Sequence, residues 1–114
     1  MAQIRPFSLL VSVYAGEKAS RLAEALESVL VRQTVLPAEI VLVEDGPLTP
    51  ELHDVLRHYR QIFPNWVSVP LPENRGLGTA LNEGLGHCTH EWVARMDSDD
   101  IALPERFERQ WAVI

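Results

Sequence analysis

The densest concentration of chemistry in this chain is the run Asp97-Ser98-Asp99-Asp100. Two carboxylates at i and i+2 of an extended segment point to the same side. Such a pair suits a hard divalent cation. Mg²⁺ commonly takes one or two carboxylates and completes its octahedron with water and substrate phosphate oxygens. The ion inverts the local charge, so an anionic diphosphate can dock on an acidic chain. The competing role is a solvated acidic loop ahead of the helix that Pro104 opens. A second acidic pair, Glu44-Asp45, precedes Gly46-Pro47. Asp45 can accept hydrogen bonds from a base N–H or a ribose hydroxyl, or it can cap the turn it stands in. Ser12 and Tyr14 close a third polar cluster, in which the Tyr14 ring is either a stacking face for a nucleobase or a half-buried core aromatic.

Other residues carry weaker signals. Gly76-Leu77-Gly78-Thr79-Ala80-Leu81 opens like a dinucleotide fingerprint but has Leu81 where the third glycine belongs. Both glycines then serve the turn and close helix packing. Arg75, beside this loop, is a candidate for the nucleotide. Arg95 stands inside an apolar run, and a buried guanidinium needs a carboxylate partner, for which Asp97 or Asp45 would serve. His53, His58, His87 and His90 are scattered and read as surface residues. Cys88 reads as a core residue at a helix end.

These clusters need elements to hold them. Phe7 to Val13 is an almost unbroken apolar run, the pattern of a buried strand. Between Lys18 and Gln33, Leu22, Leu26, Val29 and Leu30 make one helical stripe. Glu39 to Val43 is a second strand, rich in β-branched residues. Thr49-Pro50-Glu51 combines a capping hydroxyl, a proline at the first helical position and an early acid. The helix it starts buries Leu52, Val55, Leu56 and Tyr59. Trp66 to Val69 is a third strand. Leu77, Leu81 and Leu85 would form the inner stripe of a third helix, Glu91 to Met96 a fourth strand, and Phe107, Trp111 and Ile114 the stripe of a last helix. Alternating strands and helices predict an α/β domain with a mainly parallel sheet. In such sheets ligands bind beyond the carboxyl ends of the strands, where all three polar clusters fall.

Composition excludes several classes. The 114 residues are 46% hydrophobic and 23% charged, with formal net charge −6. That is an ordinary globular composition, and no apolar run approaches the ~20 residues of a membrane span. A phosphate-backbone binder needs clustered positive charge, so nucleic acid is not an expected partner. One cysteine cannot form an internal disulfide, which fits a reducing cytoplasm. The last apolar stripe lacks a C-cap signal, which suggests a fragment of a longer protein.

The order of the motifs resembles family 2 glycosyltransferases. The resemblance rests on Ser8-Leu9-Leu10-Val11-Ser12-Val13-Tyr14, on Leu26-Glu27-Ser28-Val29-Leu30 with Gln33-Thr34, and on Glu39-Ile40-Val41-Leu42-Val43-Glu44-Asp45-Gly46. It continues through Asn74-Arg75-Gly76-Leu77-Gly78-Thr79-Ala80-Leu81-Asn82 and Arg95-Met96-Asp97-Ser98-Asp99-Asp100 with Leu103-Pro104-Glu105-Arg106. It implies a GT-A fold, of which residues 1–114 would be the three-layer, Rossmann-like nucleotide-sugar-binding part without the acceptor-binding half. It implies transfer of a sugar, of the hexosyl type, from a UDP-, GDP- or dTDP-sugar to a hydroxyl of a glycan or lipid-linked acceptor. Inversion and Mg²⁺ or Mn²⁺ are the usual accompaniments. Ser12, Tyr14, Asp45, Arg75 and Asp97 would bind the nucleotide. Asp99 would be the more direct metal ligand, with Asp97 facing the ribose or reaching the metal through water. The family's general base would lie beyond Ile114, and this part alone would be inactive. The setting implied is cell-surface polysaccharide biosynthesis in the cytoplasm, at the inner face of the membrane, with peripheral association through parts not present here.

The sequence departs from the family pattern at three places. Ala15 stands where Asn is usual, Glu44 where Asp is usual, and Gly46-Pro47 replaces Gly-Ser. Two other classes fit an Asp-x-Asp after a strand: a phosphotransferase with Asp97 as nucleophile, and a non-catalytic nucleotide-binding module. The first expects a downstream lysine, whereas the single lysine is Lys18.

Overall fold

The computed structural model describes residues 6–112, with side-chain surroundings up to residue 109. Four strands alternate with four helices: β1 (Phe7–Val13), α1 (Ala19–Leu30), β2 (Glu39–Glu44), α2 (Pro50–Ile62), β3 (Trp66–Pro70), α3 (Leu77–Leu85), β4 (Trp92–Asp97) and α4 (Arg106–Ala112). The sheet has the order β3-β2-β1-β4, and every pairing is parallel. The expected three-layer α/β architecture is therefore present. Parallel strands need crossovers, and the helices supply them on both faces.

β1 is central and buried along its whole length. Its side chains alternate between two cores. Phe7, Leu9, Val11 and Val13 join Ile40 and Leu42 of β2 under α1 and α2, together with Leu22, Leu26, Val29, Leu52 and Leu56. Leu10 faces the other way, with Val41, Val43 and Val69, under Ala80 of α3. The α1 stripe is buried as the periodicity predicts. In α2 the Thr49 hydroxyl accepts from the Leu52 N–H at 3.2 Å, with Pro50 at the first helical position. Tyr59 joins α2 to α1 by donating to Glu27 at 2.9 Å. Burial first, and the Glu27 carboxylate second, push the Tyr59 hydroxyl up to about 12.

Two expectations fail on the α3 side. Leu77 and Leu85 are half-exposed, and the residues α3 buries are Ala80 and Gly84. A Cβ on Gly84 would lie 2.5 Å from both Leu10 and Val43 side chains. The helix therefore sits on the sheet through its smallest residues, and leucines on that face would hold it away. Gly84 makes the close approach expected of Gly78, which has open space around it. Arg95 is exposed and forms no ion pair among the described residues. β4 is an edge strand with one neighbour, so a long polar side chain on it reaches solvent. Of the last stripe, Phe107 is buried against Phe7, with ring centroids 4.9 Å apart. The Trp111 side chain and Ile114 lie outside the described residues.

The segment after β4 is fastened to the end of α1 by polar side chains. Buried Gln33 donates to the carbonyls of Ser28 and Leu103 and accepts from the Phe107 N–H. Ser28 accepts from the Ala102 N–H at 3.0 Å. Ser28 and Gln33 thus supply partners for backbone groups that an irregular buried segment cannot pair by itself. At the amino end of the strands, buried Glu39 accepts from Ser8 Oγ at 2.6 Å, Thr89 N–H at 2.7 Å and Thr89 Oγ1 at 2.9 Å. Among the described residues no helix is long and apolar enough to cross a membrane.

Candidate functional site

Register brings the carboxyl ends of the strands level. Ser12 of β1 pairs with Val43 of β2 on one side and Asp97 of β4 on the other, and Val13 pairs with Glu44. Residues that follow these positions must emerge at one rim. β1 is also where the chain's order reverses, with β2 and β3 to one side and β4 to the other. This is the place where an open parallel sheet leaves a crevice.

A cavity of about 520 Å³ occupies that crevice. Ser12, Tyr14, Asp45, Asp97 and Asp99 all line it. Five of the six residues singled out from the sequence as nucleotide or metal contacts therefore share one site. Arg75 is the sixth and does not line it. Its side chain turns toward solvent near Glu73, while its neighbours Asn74 and Gly76 face the cavity.

Each wall has a local cause. Tyr14 is 50% exposed, so it is not a core aromatic. Its ring lies over Gly16, where a Cβ would come within 2.4 Å of the ring carbons. Glycine at 16 is what allows the ring to fold over the loop. Ser12 is 7% exposed and belongs to the cavity floor. Asp45 is 4% exposed, and both its carboxylate oxygens are engaged: Oδ1 accepts from the Arg75 N–H at 2.7 Å and Oδ2 from the Gly76 N–H at 3.1 Å. The sequence suggested a turn cap or a nucleotide acceptor, but not that Asp45 would clamp a loop 30 residues away. Gly46 makes that clamp possible, since its φ is +90° and a Cβ there would meet the Asn74 backbone at 2.7 Å.

The acidic run is shaped by a turn, and this corrects the expectation of an extended segment. β4 ends at Asp97, residues 98–99 turn, and the Asp100 N–H donates to the Asp97 carbonyl at 3.1 Å. The turn gathers Asp97, Asp99 and Asp100, all exposed, with one carboxylate oxygen of each within 4.8 Å of the others. Alternation along a strand would have paired Asp97 with Asp99 and left Asp100 pointing away. Three converging hard oxygen donors with open sides suit a cation that keeps water and takes substrate phosphate. The donor chemistry therefore fits Mg²⁺ or Mn²⁺.

Glu17, Lys18, Arg21, Asn74 and Ser98 also line the cavity and were not singled out from the sequence. The loop from β1 to α1 leaves the same rim as Tyr14, so strand-end placement would have marked Glu17 and Lys18. Arg21 follows one helical turn later. Asn74 depends on the Asp45 clamp, which sequence spacing does not reveal. Glu39, by contrast, sits at the amino end of the strands. Burial would raise its pKa, but hydrogen bonds from Ser8 and Thr89, with His90 nearby, hold it below its ordinary value.

A parallel α/β layer with a cavity at its switch point and a carboxylate turn after an edge strand fits the GT-A glycosyltransferase fold. The chain belongs to glycosyl transferase family 2, whose profile matches residues 8–114. It is 53% identical over 108 residues to an uncharacterized glycosyltransferase of Haemophilus influenzae, covering 95% of this chain and 40% of that protein. It is 54% identical over 104 residues to the amylovoran biosynthesis glycosyltransferase AmsE of Erwinia amylovora, covering 91% and 38%. It is 42% identical over 102 residues to an Escherichia coli UDP-Gal:alpha-D-GlcNAc-diphosphoundecaprenol beta-1,3-galactosyltransferase, covering 90% and 36%. The chain thus spans about 40% of the length of these relatives. Among solved structures it is similar to S. aureus TarS 1–349 in complex with UDP, with TM-score 0.79 and 28% identity over 95% of this chain and 31% of that one. It is also similar to the mannosyltransferase PcManGT of Pyrobaculum calidifontis in complex with GDP-Man and Mn²⁺, with TM-score 0.75 and 26% identity over 99% and 34%. Family membership decides against the phosphotransferase reading of Asp97.

Proposed function

We propose that this chain is the donor-binding part of an enzyme that moves a hexose from a nucleoside diphosphate to an acceptor hydroxyl, with metal assistance and inversion at the sugar carbon. The observation that carries the reading is one cavity lined by Tyr14 together with Asp97 and Asp99, whose turn also gathers Asp100. An aromatic face and carboxylates able to hold a cation, lining one cavity, match the two ends of a nucleoside diphosphate. Relatives that act in amylovoran biosynthesis or on a lipid-diphosphate acceptor support cell-surface polysaccharide as the product class. Neighbours solved with UDP, and with GDP-Man and Mn²⁺, support the donor class and the cation.

In this reading Tyr14 stacks on the base and Ser12 supplies a hydroxyl at the cavity floor. Asp45 keeps Asn74 and Gly76 against the cavity by holding the backbone at residues 75–76. Asp97 and Asp99 hold the divalent ion, Mg²⁺ or Mn²⁺, with Asp100 beside them. The ion's contribution is charge neutralisation of the departing diphosphate. The carboxylate that takes the acceptor's proton belongs to sequence following Ile114. This part alone would bind the donor without turnover. A relative named for a diphosphoundecaprenol-linked acceptor supports action at the cytoplasmic face of the membrane. Calorimetry with UDP-, GDP- and dTDP-sugars, with Mn²⁺ and with EDTA, tests the reading. Binding of at least one donor, strengthened by Mn²⁺ and insensitive to it in Asp99→Ala, is expected. Failure of all three to bind would overturn it.

A further inference from the structure

The two walls of the cavity come from opposite ends of the chain, yet they are tied together. The Ser98 hydroxyl donates to Glu17 Oε2 at 2.8 Å, across 81 residues of sequence. The second oxygen of Glu17, Oε1, accepts from the Lys18 N–H at 2.9 Å, and the Glu17 N–H donates to the Tyr14 carbonyl at 3.1 Å. Glu17 is therefore fixed to the loop that carries the Tyr14 ring and, through Ser98, to the turn that carries Asp97, Asp99 and Asp100. Ser98 is 7% exposed and Glu17 is half-buried, so this bond is partly sheltered from water. Hydrogen bonds to an ionised carboxylate in such a setting are among the stronger kind.

From this geometry we propose that Glu17 and Ser98 are positioning residues that couple the two ends of the donor site. The inference rests on the donor reading above and goes beyond it. A cation drawn onto the Asp97–Asp100 turn sets the position of Ser98, and Ser98 sets the Tyr14 loop through Glu17. Order imposed at one wall then lowers the cost of ordering the other. Coupling is reciprocal: a base stacked on Tyr14 strengthens metal binding by the factor with which metal strengthens nucleotide binding. Neither residue need touch the donor for this to hold.

The test uses Ser98→Ala, Glu17→Ala and Glu17→Gln in the full chain. The first readout is amide hydrogen exchange without ligand. Ser98→Ala is expected to raise exchange in residues 14–17 and 97–100 together, and Glu17→Gln, which keeps an accepting oxygen toward Ser98, to stay near the parent. The second readout is UDP affinity with Mn²⁺ and with EDTA, using GDP if UDP does not bind. The ratio of the two affinities is expected to fall by about fivefold or more in Ser98→Ala and Glu17→Ala. The EDTA affinity should fall less than the affinity with Mn²⁺, and Glu17→Gln should recover most of the ratio. Faster exchange in only one segment, an unchanged ratio in both alanine variants, or an equal loss with and without Mn²⁺ would each overturn the coupling. A parent that binds neither nucleotide removes the donor reading instead, and the exchange result then still decides whether the two segments move as one.

Discussion

The two edges of this sheet use the same chemical group to opposite ends. At the amino edge, the Glu39 carboxylate is buried and its Oε1 accepts three hydrogen bonds from Ser8 and Thr89, whose donors lock the arrival of β4 against β1 and β2. At the carboxyl edge, Asp97, Asp99 and Asp100 are exposed and crowded, with oxygens within 4.8 Å of one another. A buried carboxylate engaged by several protein donors serves the fold. Carboxylates that repel one another in the open cost stability and remain available to a cation. The number of internal donors, more than residue type or local charge, separates the two roles.

Asp99→Ala should lower sugar transfer by the whole protein about a hundredfold or more, through lost charge stabilisation worth several kcal/mol. It should leave the urea midpoint unchanged or slightly raised, because like charges are relieved. Glu39→Ala should do the reverse. It strips the Ser8 and Thr89 donors of their acceptor and should cost about 2 kcal/mol of stability, read by urea unfolding, while nucleotide affinity measured under folded conditions stays at the parental value. A loss of binding in Glu39→Ala as large as in Asp99→Ala would erase the distinction.

Acid sharpens the comparison further. The Glu39 pKa is depressed in the folded chain, so the unfolded chain binds its proton more readily. Its contribution is complete above the ordinary value of 4.5 and is lost as pH falls below that toward the folded value. Parental stability should therefore drop faster below pH 4.5 than that of Glu39→Gln, measured by urea midpoints across the acid range. The smallest effect belongs to the start of α2. Thr49→Ala removes the hydroxyl that accepts from Leu52 and should cost about 1 kcal/mol, with no change in metal-dependent binding.

Much of this organisation is legible in the residues. The strands and the first two helices lie close to where apolar runs, helical stripes and the Thr49-Pro50 cap put them, because those signals are local. What escaped depended on neighbours. The α3 leucines obey helical spacing, but a flat sheet of Leu10 and Val43 admits only Ala80 and Gly84 at close range. Arg95 reads as buried until β4 proves to be an edge. The strand-end rule finds the site at Tyr14, Asp45 and Asp97, while the convergence of Asp100 comes from a turn and the loop clamp of Asp45 from a contact 30 residues distant. Arg75 reads as a nucleotide contact, yet the structure uses its backbone N–H to hold Asp45.

Gln33 adds a consequence for how the chain is made. Its amide completes its hydrogen bonds only with Leu103 and Phe107, which are 70 and 74 residues downstream. A ribosome delivers residues from the amino end, so at typical elongation rates several seconds separate the appearance of this side chain from that of its last partner. During that interval the end of α1 has water where it will later have protein, and the sheet still lacks β4. The nascent chain therefore stays open on that flank, and its closure is timed by translation.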